Sequence, residues 1–341
     1  MPEVSVIIVC MNRPDILFPC LDSIRAHTTV SHEVLVVAYL FSPENLAEVR
    51  TKYPYVKLVE STEIRGFSEN NNLALRQARG RFCFVVNDDT LMSVSVIDRL
   101  VRDLEQLPEP AAAVSPCIRL SDGRIQTCGR TPWTPWRYAK HHLHLVNEGD
   151  SPGRHTSRNR LRFAPAPPKV RAPHARGPLP LMRPRVATDS GMCAPGAVRQ
   201  TYTLNGACFL IKTEAFKKVG WFDERYFFTP EDIALGHTLN AAGYTVWVDP
   251  DVEIIHLAGG SVSALEAAIK PARVRGSLIF YGEPLWLKCF IWCFEALRVC
   301  KYAVLPKTER NRLMSRTAQN VMRTVFSKAS PKELFVRFSH E

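Results

Sequence analysis

The acidic run at residues 87–90 is the first candidate for chemistry in this chain. It reads Asn-Asp-Asp-Thr and follows the apolar run 82–86, which is typical of a buried strand. Carboxylates at the end of such a strand lie at the sheet edge where open α/β sheets bind ligands. Hard oxygen donors there suit Mg²⁺ or Mn²⁺ on a diphosphate. An acidic turn that caps the next helix is the structural alternative, because Asp and Thr are good caps.

A second acidic pair and one histidine complete the candidate set. Glu231 and Asp232 begin a helical pattern that Gly243 closes, and His256 follows the short apolar run 252–255. The dipole of a helix also favours acidic residues in its first turn, so a purely structural role remains an alternative for the pair. An imidazole suits Mn²⁺, although a lone histidine after a strand is more often structural.

The elements that must position these residues alternate between strands and helices. Residues 4–10, 33–38, 56–59, 82–87 and 111–118 have strand patterns, and helical patterns fall at 14–24, 43–52, 68–79 and 92–105. This alternation predicts an α/β fold with a doubly wound, mainly parallel sheet flanked by helices. Further on we expect one strand over 201–211 that runs through Gly206, a helix over 213–219, and short strands at 245–248 and 252–255.

The chain divides into a predicted catalytic domain, residues 1–262, and a helical C-terminal tail, residues 263–341. A Pro- and Arg-rich insertion at about 150–190 interrupts the domain, and its composition predicts a mobile loop. In the tail, residues 285–305 are apolar but carry four charged side chains within an arc of about 140°. This pattern favours a membrane-surface helix or a helix packed on the core over a membrane-spanning one.

The net charge of +11 is unevenly distributed. Residues 151–185 carry nine basic side chains and no acidic one, and residues 266–341 carry a net charge of +8, so the rest is mildly acidic. Without aromatic residues interleaved among the basic ones, this favours contact with an anionic membrane over nucleic acid. The N-terminus lacks a signal-peptide pattern. The ten cysteines are scattered singly, which indicates reduced thiols rather than disulfides or a zinc site. We therefore expect a cytoplasmic protein, peripheral at the inner face of the membrane.

Four sequence features follow one another along the chain in an order that is specific enough to compare with known families. Residues 6–14 read VIIVCMNRP, residues 65–90 read RGFSENNNLALRQARGRFCFVVNDDT, and the pair 231–232 is followed by His256. This order resembles the inverting glycosyltransferases of family 2, which have the GT-A fold, and is most similar to their bacterial rhamnosyltransferase-like branch. The resemblance covers roughly residues 4–150 and 195–262. The run 206–244 is nearly as specific as the run 65–90.

The resemblance implies roles for the candidate residues. Asp89 matches the family's ligand for a divalent metal, Mn²⁺ or Mg²⁺, and His256 matches a histidine that reaches the metal or the diphosphate. Asp88 matches a position that meets the nucleotide ribose or the metal's outer shell. Asp232 matches the catalytic base, and Glu231 would position the acceptor or Asp232.

The resemblance also implies a set of donor-binding residues. These are Asn12, Arg13, Tyr39, Arg65, Asn72, Asn87 and Asp88. Asn87 occupies the first position of the usual Asp-x-Asp signature, where many relatives of this branch also carry Asn. Ala38 departs from the family, which usually has an aspartate there that contacts the base. Our hypothesis is that Tyr39 stacks on the base instead.

The implied activity is the transfer of a sugar from a nucleotide-diphosphate sugar to a hydroxyl of a glycan or lipid-linked glycan acceptor in cell-surface polysaccharide synthesis. Two alternatives come from other classes of protein. Ala38 and Asn87 would also suit a degenerate relative that binds nucleotide sugar or scaffolds an assembly without catalysis. A nucleotidyltransferase would need a Gly-rich phosphate loop after the first strand, and residues 10–14 contain none.

Overall fold

The computed structural model describes residues 1–126, 128–129, 134–142, 193–257 and 265–340. Its strands are β1 (Val4–Met11), β2 (His32–Tyr39), β3 (Val56–Ser61), β4 (Phe82–Asn87), β5 (Thr90–Leu91), β6 (Ala111–Leu120), β7 (Ile125–Gln126), β8 (Arg199–Thr201), β9 (Cys208–Lys212) and β10 (Thr245–His256). Its helices are α1 (Pro14–His27), α2 (Pro43–Lys52), α3 (Phe67–Leu75), α4 (Val96–Gln106), α5 (Pro135–His142), α6 (Thr213–Lys218), α7 (Glu231–Ala241), α8 (Glu266–Phe280), α9 (Leu285–Val304), α10 (Glu309–Val325) and α11 (Pro331–Ser339).

The strands form one mixed sheet in the order β3-β2-β1-β4-β9-β6-β10-β5. The first half, β3 to β4, is parallel throughout. Strand β9 then lies antiparallel between β4 and β6, and β6 pairs in parallel with β10. The predicted α/β fold with a doubly wound, mainly parallel sheet is confirmed.

Helices cover both faces of this sheet because the strands are apolar on both sides. On β1, Val6 and Ile8 pack with Leu21 of α1, whereas Ile7 packs on the opposite face with Leu75 of α3 and Leu239 of α7. Each such side chain is fully buried, which contributes roughly 1.5–3 kcal/mol. The carboxyl ends of β1, β2 and β4 therefore meet at one edge, where the candidate residues lie.

Two elements differ from the sequence-based expectation. The strand expected over 201–211 is broken after Thr201, because the side chain of Asn205 accepts a hydrogen bond from the Ala207 N–H (2.9 Å) and turns the chain before β9. The two short strands expected at 245–248 and 252–255 are one strand, β10, with an irregular register between Asp249 and Glu253. Helix α7 ends as predicted, with Gly243 in the left-handed region at φ +86°.

The expected helical tail is present as α8 to α11, and it packs against the sheet domain near the start of α7. The Phe335 ring of α11 lies 4.7 Å from the Phe227 ring, and Lys332 forms an ion pair with Glu69 of α3. The Pro- and Arg-rich insertion predicted at about 150–190 and the domain boundary predicted at 262 lie outside the described residues.

Helix α9 turns its charged side inward. Glu295 is fully buried and bonds to Arg298, to Lys270 of α8 and to His142 of α5. Its outward side carries exposed apolar side chains, namely Leu285, Trp286, Trp292, Leu297 and Val304. No helix within the described part of the chain is long and apolar enough to cross a membrane.

Candidate functional site

The two predicted metal ligands meet at the end of the sheet. His256 is the last residue of β10 and pairs with Thr90 of β5, which places it beside the turn after β4. Its Nε2 atom lies 3.0 Å from Oδ1 of Asp89. The backbone N–H of Leu257 also donates to the carbonyl of Asp89 (2.9 Å), so strand pairing fixes both residues.

Two further side chains orient the His256 ring. Its Nδ1 atom lies 2.8 Å from Oε1 of Gln126 on β7, and its Nε2 atom lies 3.4 Å from Nδ2 of Asn87. When Nδ1 carries the proton and donates to Gln126, the lone pair of Nε2 points toward Asp89 and is available to a metal ion.

Asp88 lies on the other side of the same turn, close to β1. Burial raises the pKa of Asp88 to about 6, with a further contribution from the charge of Asp89. A hydrogen bond with the Cys10 thiol and the charge of Arg13 act in the opposite direction. The Arg13 guanidinium itself is held by Asp15 through two hydrogen bonds of 2.8 and 2.7 Å.

Asp232 lies in the first turn of α7 and faces the turn that precedes β9. Its Oδ2 atom accepts from the Gly206 N–H at 3.4 Å, and its Oδ1 atom accepts from the Ile233 N–H at 2.7 Å. A Cβ atom on Gly206 would lie 3.6 Å from the Cβ of Asp232, so the backbone comes close to this carboxylate.

The turn at residues 205–207 joins this carboxylate to the metal-ligand turn. Ala207, the neighbour of Gly206, accepts a hydrogen bond from the Asn87 N–H (3.0 Å) through its carbonyl. Asn87 and Asp232 are thus bonded to consecutive residues. The structure therefore brings Asn87, Asp89, Asp232 and His256 into one site.

Glu231, next to Asp232, is buried and takes a different protonation state. Burial and then the charge of Asp232 raise the pKa of Glu231 to about 8. Its Oε2 atom has no hydrogen-bond partner among the described residues. At neutral pH the pair therefore holds a neutral carboxyl group, Glu231, beside Asp232.

Three predicted donor-binding residues lie at the carboxyl ends of β1 to β3. Asn12 has φ +52°, and its Oδ1 atom accepts from the Ser42 N–H and from Asn45. The Tyr39 hydroxyl accepts from the Arg65 N–H at 3.3 Å, and burial raises the pKa of Tyr39. The Arg65 guanidinium donates to the Ser61 hydroxyl at the end of β3 (3.1 Å), which ties Arg65 to this edge of the sheet.

Asn72 lies apart from the other candidates. It is buried, and its amide group donates to the Phe222 carbonyl (2.9 Å) and accepts from the Phe222 N–H (3.2 Å). It lines a groove with Arg76, Trp221 and Glu224. Within the described ranges no other predicted site residue lines this groove. The Asn72 amide therefore fixes the backbone of Phe222, and its role in donor binding stays a prediction.

Comparison with known proteins places this geometry in a family. A family model described as "Glycosyltransferase like family 2" matches residues 2–273, most of the chain. The chain belongs to this family.

Curated relatives of this family 2 chain support its rhamnosyltransferase-like branch. It is 26% identical over 259 residues to "O-antigen biosynthesis protein RfbC" of Myxococcus xanthus, which covers 75% of the chain and 17% of that relative. It is 36% identical over 80 residues to an "N-acetylglucosaminyl-diphospho-decaprenol L-rhamnosyltransferase" of Mycobacterium tuberculosis, which covers 24% of the chain and 26% of that relative. The matches thus span about a sixth and a quarter of the relatives' own lengths.

Solved structures confirm the GT-A fold. GalNAc-T7, crystallised with UDP, GalNAc and Mn²⁺, matches all of the chain and 57% of its own, with a TM-score of 0.54 and 14% identity. A mannosyltransferase of Pyrobaculum calidifontis, solved with GDP-Man and Mn²⁺, matches 99% of the chain and 79% of its own, with a TM-score of 0.51 and 16% identity.

The side chains of this family 2 protein fit a divalent metal at the Asp89 end of the site. One carboxylate oxygen and one imidazole nitrogen converge there at 3.0 Å, and Gln126 fixes the second ring nitrogen. An oxygen and nitrogen donor pair of this kind suits Mn²⁺ or Mg²⁺ when a diphosphate supplies further oxygens.

Three groups that contact the candidate residues were not predicted from the sequence. Gln126 carries no motif and reaches His256 only because β7 folds back on β6. Gly206 lies in a segment for which the sequence predicts a strand, so the contact of its N–H with Asp232 was not predicted. Cys10 ends the first strand pattern, two residues before the predicted donor-binding residue Asn12. This place in the sequence was the available indication that Cys10 would contact Asp88.

Proposed function

We propose that the protein is a divalent-metal-dependent inverting glycosyltransferase. It would move a sugar from a nucleotide-diphosphate sugar to a hydroxyl of a glycan or lipid-linked glycan in cell-surface polysaccharide synthesis. The observation that carries this is the Asp89–His256 pair at 3.0 Å, joined through residues 206–207 to Asp232 in a chain of family 2. The diphospho-decaprenol acceptor in one relative's name supports a lipid-linked acceptor.

The leaving-group end of the proposed reaction uses Asp89 and His256. These two side chains would hold Mn²⁺ or Mg²⁺, which when bound neutralises the charge that develops on the departing diphosphate. Gln126 keeps the ring of His256 in the tautomer that presents Nε2. Asp88, whose pKa responds to the charges of both Asp89 and Arg13, would accept from the ribose hydroxyls of the donor.

The nucleophilic end uses Asp232. A sugar hydroxyl is far less acidic than a carboxyl group, so Asp232 accepts its proton while the oxygen attacks the anomeric carbon opposite the diphosphate. This attack inverts the configuration. Glu231 is neutral at pH 7 because of its burial, so it can donate a hydrogen bond that positions the acceptor but does not compete as the base.

The nucleoside end would use Asn12, Tyr39 and Arg65, which lie at or just after the carboxyl ends of β1, β2 and β3. The hydrogen bond between the Tyr39 hydroxyl and the Arg65 N–H fixes the aromatic ring, and Ala38 leaves no carboxylate for the base. We expect Tyr39→Ala to raise the Michaelis constant for the donor with a smaller effect on turnover. An unchanged constant would contradict base stacking by Tyr39.

The decisive assay is release of nucleoside diphosphate from a panel of nucleotide sugars with Mn²⁺. Removing a group that acts in proton transfer costs about 10²- to 10⁴-fold, so Asp232→Asn and Asp89→Ala should lose at least that factor. Glu214→Gln, an exposed carboxylate on α6, is the matched control and should keep full activity. Full transfer by both site variants would refute the roles proposed for Asp89 and Asp232.

The same assay distinguishes the non-catalytic alternative. A scaffold or binding protein would bind donor in calorimetry but give neither transfer nor slow donor hydrolysis. Mn²⁺-dependent hydrolysis that Asp232→Asn abolishes would exclude that alternative.

Helix α9 supports contact with an anionic membrane surface. Its exposed apolar residues fall within an arc of about 140°, opposite the buried charged residues. They include Trp286 and Trp292, which are 46% and 40% exposed, and the exposed Lys301 and Lys307 follow at the helix end. Aromatic side chains beside cations are typical of helices that lie in the membrane interface.

Vesicle sedimentation tests this contact. We expect binding to vesicles of phosphatidylcholine with phosphatidylglycerol, and loss of binding in the double variant Trp286→Glu, Trp292→Glu. Tyr55→Glu, at an exposed aromatic outside α9, is the control. Removal of Lys301 or Lys307 should weaken binding about fivefold each, from about 1 kcal/mol per cation. Equal binding by the double variant and the wild type would contradict the proposal.

A further inference from the structure

Three cysteines that are far apart in the sequence converge beside the site. Cys117 lies on β6, Cys128 follows β7, and Cys193 precedes β8. Their three Sγ atoms all lie within 4.8 Å of one another, and those of Cys128 and Cys193 are 2.8 Å apart. These three cysteines, which are single in the sequence, therefore come together in the fold, and the sequence analysis did not predict this cluster.

The surroundings of the sulfurs are those of ligands rather than of core thiols. Cys117 and Cys128 are buried and Cys193 is half-buried, so the cluster has one side open to an entering ion. The Ile118 N–H donates to the Cys128 sulfur at 3.0 Å, and the Cys128 thiol donates to the Gln126 carbonyl at 3.0 Å. The N–H contact is of the kind that orients a metal-bound thiolate, and the contact with the carbonyl would be given up when the thiol loses its proton to a metal.

The other described cysteines provide a contrast. Cys10, Cys20, Cys83 and Cys208 are buried but belong to no such three-ligand group among the described residues, and Cys289, Cys293 and Cys300 lie exposed on α9. A disulfide between Cys128 and Cys193 would use two of the clustered sulfurs and leave the third, Cys117, without a function. A three-sulfur cluster has the donor number that a metal site uses.

We propose that Cys117, Cys128 and Cys193 bind a Zn²⁺ ion as three thiolate ligands. Sulfurs on a tetrahedral Zn²⁺ with bonds of about 2.3 Å lie about 3.8 Å apart, which the cluster reaches when Cys128 and Cys193 separate by about 1 Å. The fourth tetrahedral position would take a water molecule or another donor. A soft thiolate set of this kind excludes Mg²⁺ and selects Zn²⁺ over Mn²⁺.

The ion would act as a structural clamp. It would tie Cys193 to β6 and hold Cys128, which follows two residues after Gln126, the residue that contacts His256. The proposal concerns a second metal site, and its test reads metal binding rather than sugar transfer.

The experiment uses the full chain, purified with a phosphine reductant, stripped with a chelator and dialysed. Titration with Zn²⁺ should give about one tightly bound ion per chain, and Co²⁺ should give the near-ultraviolet absorption band that requires thiolate ligands. Cys128→Ser and Cys193→Ser should weaken Zn²⁺ binding by at least about 100-fold, because loss of a direct ligand exceeds the loss seen for outer-shell residues. The triple variant Cys289→Ser, Cys293→Ser, Cys300→Ser is the control and should bind like the wild type.

Cys193→His keeps a zinc ligand at the half-buried position. It tests the proposal independently in case the serine variants do not fold. It should retain Zn²⁺ with a weaker Co²⁺–thiolate band, and circular dichroism should match the wild type. Three results would overturn the proposal: no Zn²⁺ uptake by the reduced wild type, an unchanged Co²⁺ band in Cys128→Ser, or loss of the band in the α9 triple variant. A Cys128–Cys193 disulfide in the intact mass, with no Zn²⁺ uptake after reduction, would also overturn it.

Discussion

Replacement of Glu231 with glutamine should change how the protein's stability depends on pH. The Glu231 carboxyl has an ordinary pKa of 4.5, and its burial beside Asp232 raises that pKa to about 8 in the folded chain. Between these two values the unfolded chain ionises Glu231 while the folded chain keeps the proton. The folded state therefore loses stability as the pH rises from about 4.5 to 8, and the loss is complete above 8.

The size of the effect follows from the two pKa values. One pKa unit corresponds to about 1.36 kcal/mol, so the difference between 4.5 and about 8 amounts to at most about 5 kcal/mol. Water entry and relaxation reduce this, and we expect about 2–4 kcal/mol. Because glutamine cannot ionise, Glu231→Gln should match the wild type near pH 5 and exceed its stability at pH 9 by that amount.

Thermal unfolding of both proteins at pH 5 and pH 9 measures the prediction. Glu231 and Asp232 influence each other, whereas the remaining groups titrate alike in the two proteins. The difference of differences therefore isolates this pair, and it should reach a few degrees in Tm at pH 9. Glu214→Gln, at an exposed position, should show no such pH-dependent gain. If Glu231→Gln were no more stable than the wild type at pH 9, the argument from burial would be refuted.

Three further predictions follow from single contacts. Gln126→Ala should weaken Mn²⁺ binding about 10- to 100-fold by releasing the His256 ring, measured by Mn²⁺ titration, and Gln126→Glu should restore part of it. Glu295→Ala should destabilise the fold by about 3–5 kcal/mol in urea unfolding because it leaves the half-buried Lys270 and Arg298 without their buried anion, and a cost below 1 kcal/mol would contradict this. Gly66→Ala should lower Tm because its Cβ would lie 2.4 Å from the Phe227 carbonyl oxygen, and an unchanged Tm would show that this segment can move.

Local sequence patterns were sufficient to predict those helices and strands whose own residues determine their conformation. The uninterrupted apolar run before Asn87 predicts β4 because a strand buried on both faces leaves no polar position. Gly243 predicts the end of α7 because the left-handed conformation favours glycine. The strand expected through Gly206 failed because the turn there depends on the Asn205 side chain, which strand propensity does not register.

The candidate site likewise has residues that the sequence predicts and residues that it does not. The family resemblance places Asp89 and His256 together, and the pairing of β10 with β5 explains how. Gln126 could not be found from its neighbours in the chain, because its role exists only after β7 folds against β6. The cysteine cluster was missed for the same reason, since Cys128 and Cys193 are 65 residues apart and meet through tertiary packing.

The dipeptide Gly206–Ala207 carries one more consequence. Because its two peptide groups bond to Asp232 on one side and to Asn87 on the other, it acts as a fixed spacer between the two halves of the proposed reaction. Movement of residues 205–207 would therefore displace Asn87 and Asp232 together, so the two ends of the proposed reaction cannot shift independently of each other.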